Sequence, residues 1–133
     1  MTEAKKGTYH SIGQLAKMAG LTTRTIRYYE ERGLLNAVKR IEGGRRAYTD
    51  EDLRRLKFIK RLKLLGLTLA EMEELAEIYW SNPTNKRVLP RLLELLDQHC
   101  EETDKRVKSL MKLKGEITEY KERIRKKLAD IQE

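Results

Sequence analysis

The sequence predicts a mainly α-helical chain in which a small basic head of short helices and a hairpin is followed by one long helix. Three observations carry this reading. Apolar residues recur at helical spacing through two short segments separated by Gly20. That spacing breaks around Glu42-Gly43-Gly44, between two short stretches suited to strands. From Leu89 to Ile131 a residue of one series returns every seven positions, and all of that series are apolar except Thr103.

The elements follow in order after a polar tail, residues 1–8. Ile12, Leu15, Ala16 and Ala19 mark the inward side of a first helix that stops at Gly20. Thr22 is placed to cap a second, whose inward side is Ile26 with the ring of Tyr29, and which ends at Gly33 with Leu34 and Leu35 closing beneath it. Two short helices joined by a tight glycine-containing turn read as a helix-turn-helix. Ala37-Val38-Lys39 and Arg46-Ala47-Tyr48 then read as the two strands of a wing. Thr49 with Asp50 starts a third helix through Leu53, Leu56, Ile59, Leu62 and Leu65 to Gly66. Thr68 and Glu71 form the capping box T-x-x-E of a fourth, from Leu69 to about Tyr79. Trp80 to Asn85, with Ser81, Asn82 and Pro83, reads as a connection.

The predicted organisation is therefore a tail (1–8), a winged helix-turn-helix domain (9–79), a linker (80–87) and a long helix (88–133). The heptad series of that helix comprises Leu89, Leu96, Thr103, Leu110, Ile117, Ile124 and Ile131, with Leu93, Cys100, Val107, Lys114, Lys121 and Leu128 on the intermediate positions. Leaving such a stripe in water costs roughly 25 cal/mol per Å² of apolar surface, so the helix calls for a partner, most simply a second copy. Leu96, Cys100, Val107, Leu110, Ile117, Ile124 and Leu128 are the expected dimerisation residues.

Charge is divided as sharply as structure. The chain of 133 residues carries a net +8, but residues 1–66 hold 16 Lys/Arg against 7 Asp/Glu and the remainder 13 against 14, so the whole surplus lies in the head. A one-sided basic head implies a polyanion as partner. One cysteine cannot form an intrachain disulfide, and no apolar run is long enough for a bilayer span or a signal peptide, so a cytoplasmic protein without a membrane partner is expected. An enzyme is not expected: no glycine-rich phosphate loop, no nucleophile with a matching His and carboxylate, and no metal-ligand cluster is present. No metal or cofactor is expected either.

These parts point the second helix at double-stranded DNA. Its N-terminal residues Thr23, Arg24 and Arg27 are the candidates for base edges in the major groove, and Tyr28 for the phosphates. Tyr29 is read equally as a packing residue and as a phosphate contact. Arg32, near the helix end, is read as serving the helix dipole. His10 is read as a plain surface residue.

The strings Ser11-Ile12-Gly13-Gln14-Leu15-Ala16, Thr25 to Leu34 (TIRYYEERGL), Gly44-Arg45-Arg46-Ala47-Tyr48-Thr49 and Ile59 to Gly66 (IKRLKLLG) resemble the MerR family of bacterial transcription regulators, in a short form without a large effector domain. The likeness covers residues 9 to 79, with the long helix agreeing in architecture. It implies a homodimer joined by an antiparallel coiled coil, which grips a pseudo-palindromic promoter operator, bends and untwists it, and acts on RNA polymerase indirectly through promoter geometry. It also implies control by a small effector. On this resemblance Tyr28 and Tyr29 lie near phosphates, Arg45, Arg46 and Tyr48 on the wing, and Lys63 at the end of the third helix against the backbone. An architectural DNA-bending factor of the excisionase type is the alternative, disfavoured by the long helix.

Metal-sensing relatives place a cysteine at the start of the long helix and a cysteine-bearing loop at its end. Here the start reads Asn85-Lys86-Arg87-Val88, so sensing of that kind is disfavoured. His99 and Cys100 suggest a shared soft-metal site across a dimer, but Cys100 falls on the heptad seam and reads as packing. An effector groove lined by Tyr79, Trp80, His99 and Tyr120 is the remaining sensing site, with interface packing as its plainer reading.

Overall fold

The computed structural model describes residues 9–35, 39–40 and 46–132; at 39, 40 and 46 the backbone alone is described. It contains α1 (Ile12–Ala19), α2 (Thr23–Glu31), β1 (Lys39–Arg40), β2 (Arg46–Ala47), α3 (Asp50–Leu64), α4 (Leu69–Ser81) and α5 (Asn85–Gln132). The mainly helical class and the order of elements agree with the sequence reading. The expected tail, Ala37, Val38, Glu42 to Gly44 and Arg45 lie outside the described residues.

Local sequence sets each helix start. Ser11 accepts from the Gln14 amide at 3.1 Å while the Gln14 side chain accepts from the Ser11 amide at 2.9 Å, a capping box legible as S-x-x-Q. α3 uses the same device, but through Asp52 rather than Asp50: the Asp52 carboxylate accepts from the Thr49 amide at 2.9 Å and is itself buried. Thr68 and Glu71 cap α4 as predicted, at 2.9 and 3.1 Å. α1 ends where Gly20 takes φ 70°, a left-handed conformation that suits glycine. A side chain there would also meet Lys60 Nζ, which donates to the carbonyls of Ala19 at 3.2 Å and Gly20 at 3.4 Å.

The core lies under the helix-turn-helix. Leu15, Ile26 and Leu56 have no exposed surface, and Leu34, Leu35, Ile59, Leu62, Leu67, Met72 and Leu75 are buried around them. Two tiny strands complete the head: β1 and β2 run antiparallel with Lys39 opposite Ala47 and Arg40 opposite Arg46. His10 pairs with Tyr48 through both backbone hydrogen bonds, 2.7 and 2.9 Å, so the segment before α1 is stitched to the wing base. His10 also bonds Asp50 at 2.7 Å through its ring and is only 20% exposed, which corrects its reading as a plain surface residue.

The predicted linker, 80–87, is shorter than expected. Trp80 and Ser81 are helical, and only Asn82, Pro83 and Thr84 separate α4 from α5. One reason is tertiary, the Trp80 indole donating to the Gly33 carbonyl at 2.9 Å, and one local, the Ser81 hydroxyl donating to the Glu77 carbonyl one turn back at 2.7 Å, so a polar-looking stretch is held in the last turn of α4. Pro90 falls in the second turn of α5, where it removes one backbone hydrogen bond. Val88, Leu92 and Leu95 are buried and hold these turns in place. The chain accordingly divides into compact units after Leu95, not at residue 80. Arg91 adds a fork to Glu74, its Nη2 at 3.1 Å from Oε1, and a bond to Glu94 at 3.1 Å.

In the second unit, Leu96 is half-buried and the heptad residues beyond it are uncovered in the single chain. Val107, Leu110, Ile117, Ile124 and Leu128 are each 43–64% exposed, and Cys100 is exposed with them. No helix among the described residues is long and apolar enough to cross a membrane.

Two outcomes follow from this packing. Truncating Leu56 to alanine should cost about 2–5 kcal/mol of head stability, read as a lowered denaturant midpoint with an unchanged slope. The hydrogen bond from Arg91, then its charge, holds the Glu74 carboxyl below the ordinary glutamate range. Its contribution is therefore complete at neutral pH and fades as pH falls through that lowered value. Hydrogen exchange of Val88–Leu95 should quicken selectively in that acid window, and the Arg91→Met variant should lose this pH dependence.

Candidate nucleic-acid interface

The site is built on α2 from its buried side outward. Thr22 caps the helix, its hydroxyl accepting from the Thr25 amide at 3.1 Å and lying 2.8 Å from the Thr25 hydroxyl. Ile26 and Tyr29 are buried, 0% and 4% exposed, which fixes the rotation of the helix about its axis. With about 100° per residue, Arg24, Arg27, Tyr28 and Glu31 then fall on the opposite side, within about 60° of one another's neighbours. All four are exposed, and Thr23 is half-buried beside them. Two guanidiniums and a phenol thus stand on one face of a short helix with an apolar underside, the arrangement required to enter a major groove.

Two of the predicted contacts change role. The Tyr29 side chain belongs to the core, so of its two readings the structure takes packing. Tyr48 was expected on the wing facing DNA, but it is 2% exposed and its hydroxyl donates to Glu30 Oε1 at 3.0 Å. It ties the wing base to α2 instead of reaching outward. The sequence hid this because Glu30 and Tyr48 lie 18 residues apart, and an aromatic beside two arginines looks like a phosphate contact. Arg46 lies in β2, and Arg45 is outside the described residues. Lys63 is exposed in the last turn of α3.

Arg32 is not merely a dipole partner. It sits at the C-cap of α2 and its Nε donates to Glu73 of α4 at 2.6 Å, a bond that raises its already high pKa further. Sequence reasoning also missed a cationic hollow in which Lys17 of α1 meets Lys57, Lys60 and Arg61 of α3 beside the helix-turn-helix turn. The K-x-x-K-R spacing, which puts three cations on adjoining turns of one helix, was the available signal.

Of the residues expected to line an effector groove, Tyr79 and Trp80 lie in the first unit and His99 and Tyr120 in the second. Tyr79 and Trp80 meet edge to face with centroids 5.1 Å apart, and the Arg55 guanidinium lies 4.5 Å from both rings. His99 and Tyr120 lie on the part of α5 in the second unit, separated by 21 residues and hence by about 30 Å of helix, too far to line one small pocket. Helical rise along a single rod is the physical reason. Among the described residues no group of three or more His, Cys, Asp or Glu is placed to hold a metal ion.

This geometry can be set against known proteins. The family described as "MerR HTH family regulatory protein" matches residues 10–77, and "MerR, DNA binding" matches residues 53–120. Over 112 residues the chain is 36% identical to an HTH-type transcriptional regulator, a ZntR homolog of Haemophilus influenzae, covering 84% of this chain and 81% of that one. Among solved structures it resembles HiNmlR, a MerR family regulator lacking the sensor domain, bound to promoter DNA. That likeness has a TM-score of 0.60 and 26% identity, over 77% of this chain and 78% of the other. It also resembles PbrR691 of Ralstonia metallidurans CH34 in complex with lead(II), with a TM-score of 0.67 and 32% identity over 83% and 84% of the two chains. With the helix-turn-helix, the wing strands and the long terminal helix in place, the chain belongs to the MerR family of DNA-binding transcription regulators.

Proposed function

We propose that two copies of the chain zip together through antiparallel α5 helices and present two α2 helices to successive major grooves of a pseudo-palindromic promoter operator. The observation that carries this is the pairing of an outward face on α2, Arg24, Arg27 and Tyr28, with an uncovered apolar stripe on α5. Leu96, Cys100, Val107, Leu110, Ile117, Ile124 and Leu128 form the seam. Thr23, Arg24 and Arg27 read base edges, while Tyr28, Lys63 and the wing arginines Arg45 and Arg46 anchor phosphates on either side.

Anchors on both sides of the operator centre suit a protein that bends and untwists DNA, because deformation energy is repaid by backbone contacts reached only on the bent duplex. RNA polymerase is then influenced through the spacing and alignment of promoter elements, with a small effector setting the balance between DNA shapes. An excisionase-type architectural role is not favoured, since the relatives named above are transcriptional regulators.

A gel shift on the region upstream of its own gene tests this. Specific affinity should fall by roughly three to five decades between 50 and 200 mM salt if about six to ten phosphates are neutralised. Arg27→Ala should remove about 1–3 kcal/mol of discrimination between cognate and altered operator while leaving non-specific binding nearly intact. Equal affinity of the unaltered chain for unrelated duplexes would defeat the reading. For the seam, Ile117→Asp should convert the dimer to monomer in sedimentation equilibrium and abolish operator binding at concentrations where the head stays folded.

A further inference from the structure

A cavity of about 410 Å³ opens in the head between α3, α4 and the first turns of α5. Its volume lies within the range of small-molecule pockets. Phe58, Met72, Leu75 and Leu89 supply apolar walls, and Phe58 and Leu89 remain 42% and 52% exposed although they face it. Arg54 and Arg55 stand on the same wall, with Glu51 one turn earlier as its one carboxylate. Arg54 has no hydrogen-bond or ion-pair partner among the described residues. Among the described residues Arg55 has no ion pair and lies over the faces of Tyr79 and Trp80. An apolar hollow whose two guanidiniums make no ion pair among the described residues, Glu51 included, complements an organic anion: the body desolvates the walls, and the carboxylate takes the fork of Arg54 and draws on the charge of Arg55 beside it.

The cavity also has a short physical link to α2. Arg55 stacks on Trp80, and the Trp80 indole donates to the carbonyl of Gly33, two residues beyond the end of α2. An anion that draws Arg55 off the rings disturbs the group that holds the end of the recognition helix.

We propose that this cavity is a binding site for an amphipathic monocarboxylate, and that its occupancy reaches α2 through Arg55, Trp80 and Gly33. The proposal rests on the DNA-binding reading above and names the site of its effector. That site is built inside the head and shares Tyr79 with the groove expected from the sequence.

Trp80 is the one tryptophan of the chain and stacks against Arg55 of the cavity wall, so its fluorescence reports on the site through that contact. Decanoate, kept below its micellar range, serves as the probe and decanol as its neutral counterpart. The full chain should show a saturable change in Trp80 emission with decanoate, at least about tenfold tighter than with decanol, as a charge-assisted fork requires. Arg54→Gln should erase that preference while sparing decanol, and Phe58→Glu, at a half-exposed position, should abolish decanoate binding with the circular dichroism unchanged. Decanoate should also shift operator affinity severalfold.

A silent Trp80, equal affinity for decanoate and decanol, or an unaltered response in both variants would overturn the proposal. So would a decanoate affinity that falls as chain concentration rises, which would identify a second copy as the occupant. Operator binding by the ligand-free chain is measured alongside. If it is intact while Trp80 is silent, only the cavity proposal fails; if it is absent, the regulator reading fails instead.

Discussion

Burial of Ile26 and Tyr29 beneath α2 is the constraint on which the head depends. A nine-residue helix has little stability of its own, so its orientation is dictated by whichever side it hides. Once those two side chains are inside, Arg24, Arg27 and Tyr28 have no choice but to face water. The remaining contacts of the head hold this one orientation from several directions. Tyr48 reaches Glu30 from the wing, Arg32 reaches Glu73 on α4, and Trp80 holds the carbonyl of Gly33. All three act at the C-terminal end of α2, one from the wing base and two from α4.

Much of this was legible in the residues. Capping boxes, glycine stops and heptad spacing are local signals, and each fixed a boundary or a face within a few positions. The helix ends at Ala19 and Leu64, the caps at Thr22 and Thr68 and the buried pair Ile26 and Tyr29 all belong to this class. What sequence could not reveal was long-range. Tyr48 and Trp80 look like exposed aromatics until the fold brings Glu30 and Gly33 to their polar ends, and burying an aromatic with a polar tip becomes favourable only when that tip finds its partner. The shortened linker has the same origin: Asn82 and Pro83 do break the chain, but Trp80 and Ser81 stay in the last turn of α4, where the indole finds the carbonyl of Gly33. His99 and Tyr120 of one chain keep the distance that the rise of a single rod imposes, so the groove expected from them calls for a second copy.

The two halves of the chain divide their labour by chemistry. The head spends its apolar residues on an interior and displays cations; α5 from residue 96 to 132 is closer to balance, with 10 Lys/Arg against 8 Asp/Glu, and leaves its apolar residues uncovered. Between them, the first turns of α5 belong to the head, held by Val88, Leu92, Leu95 and the fork from Arg91 to Glu74. The helix that carries the seam therefore begins inside the unit that carries the cations.

The uncovered stripe on α5 has a consequence for dosage. Under the proposed pairing, the number of working molecules grows with the square of chain abundance wherever single chains predominate. A modest rise in synthesis is then amplified at the promoter, and dilution during growth switches occupancy off more steeply than it falls for a monomeric binder.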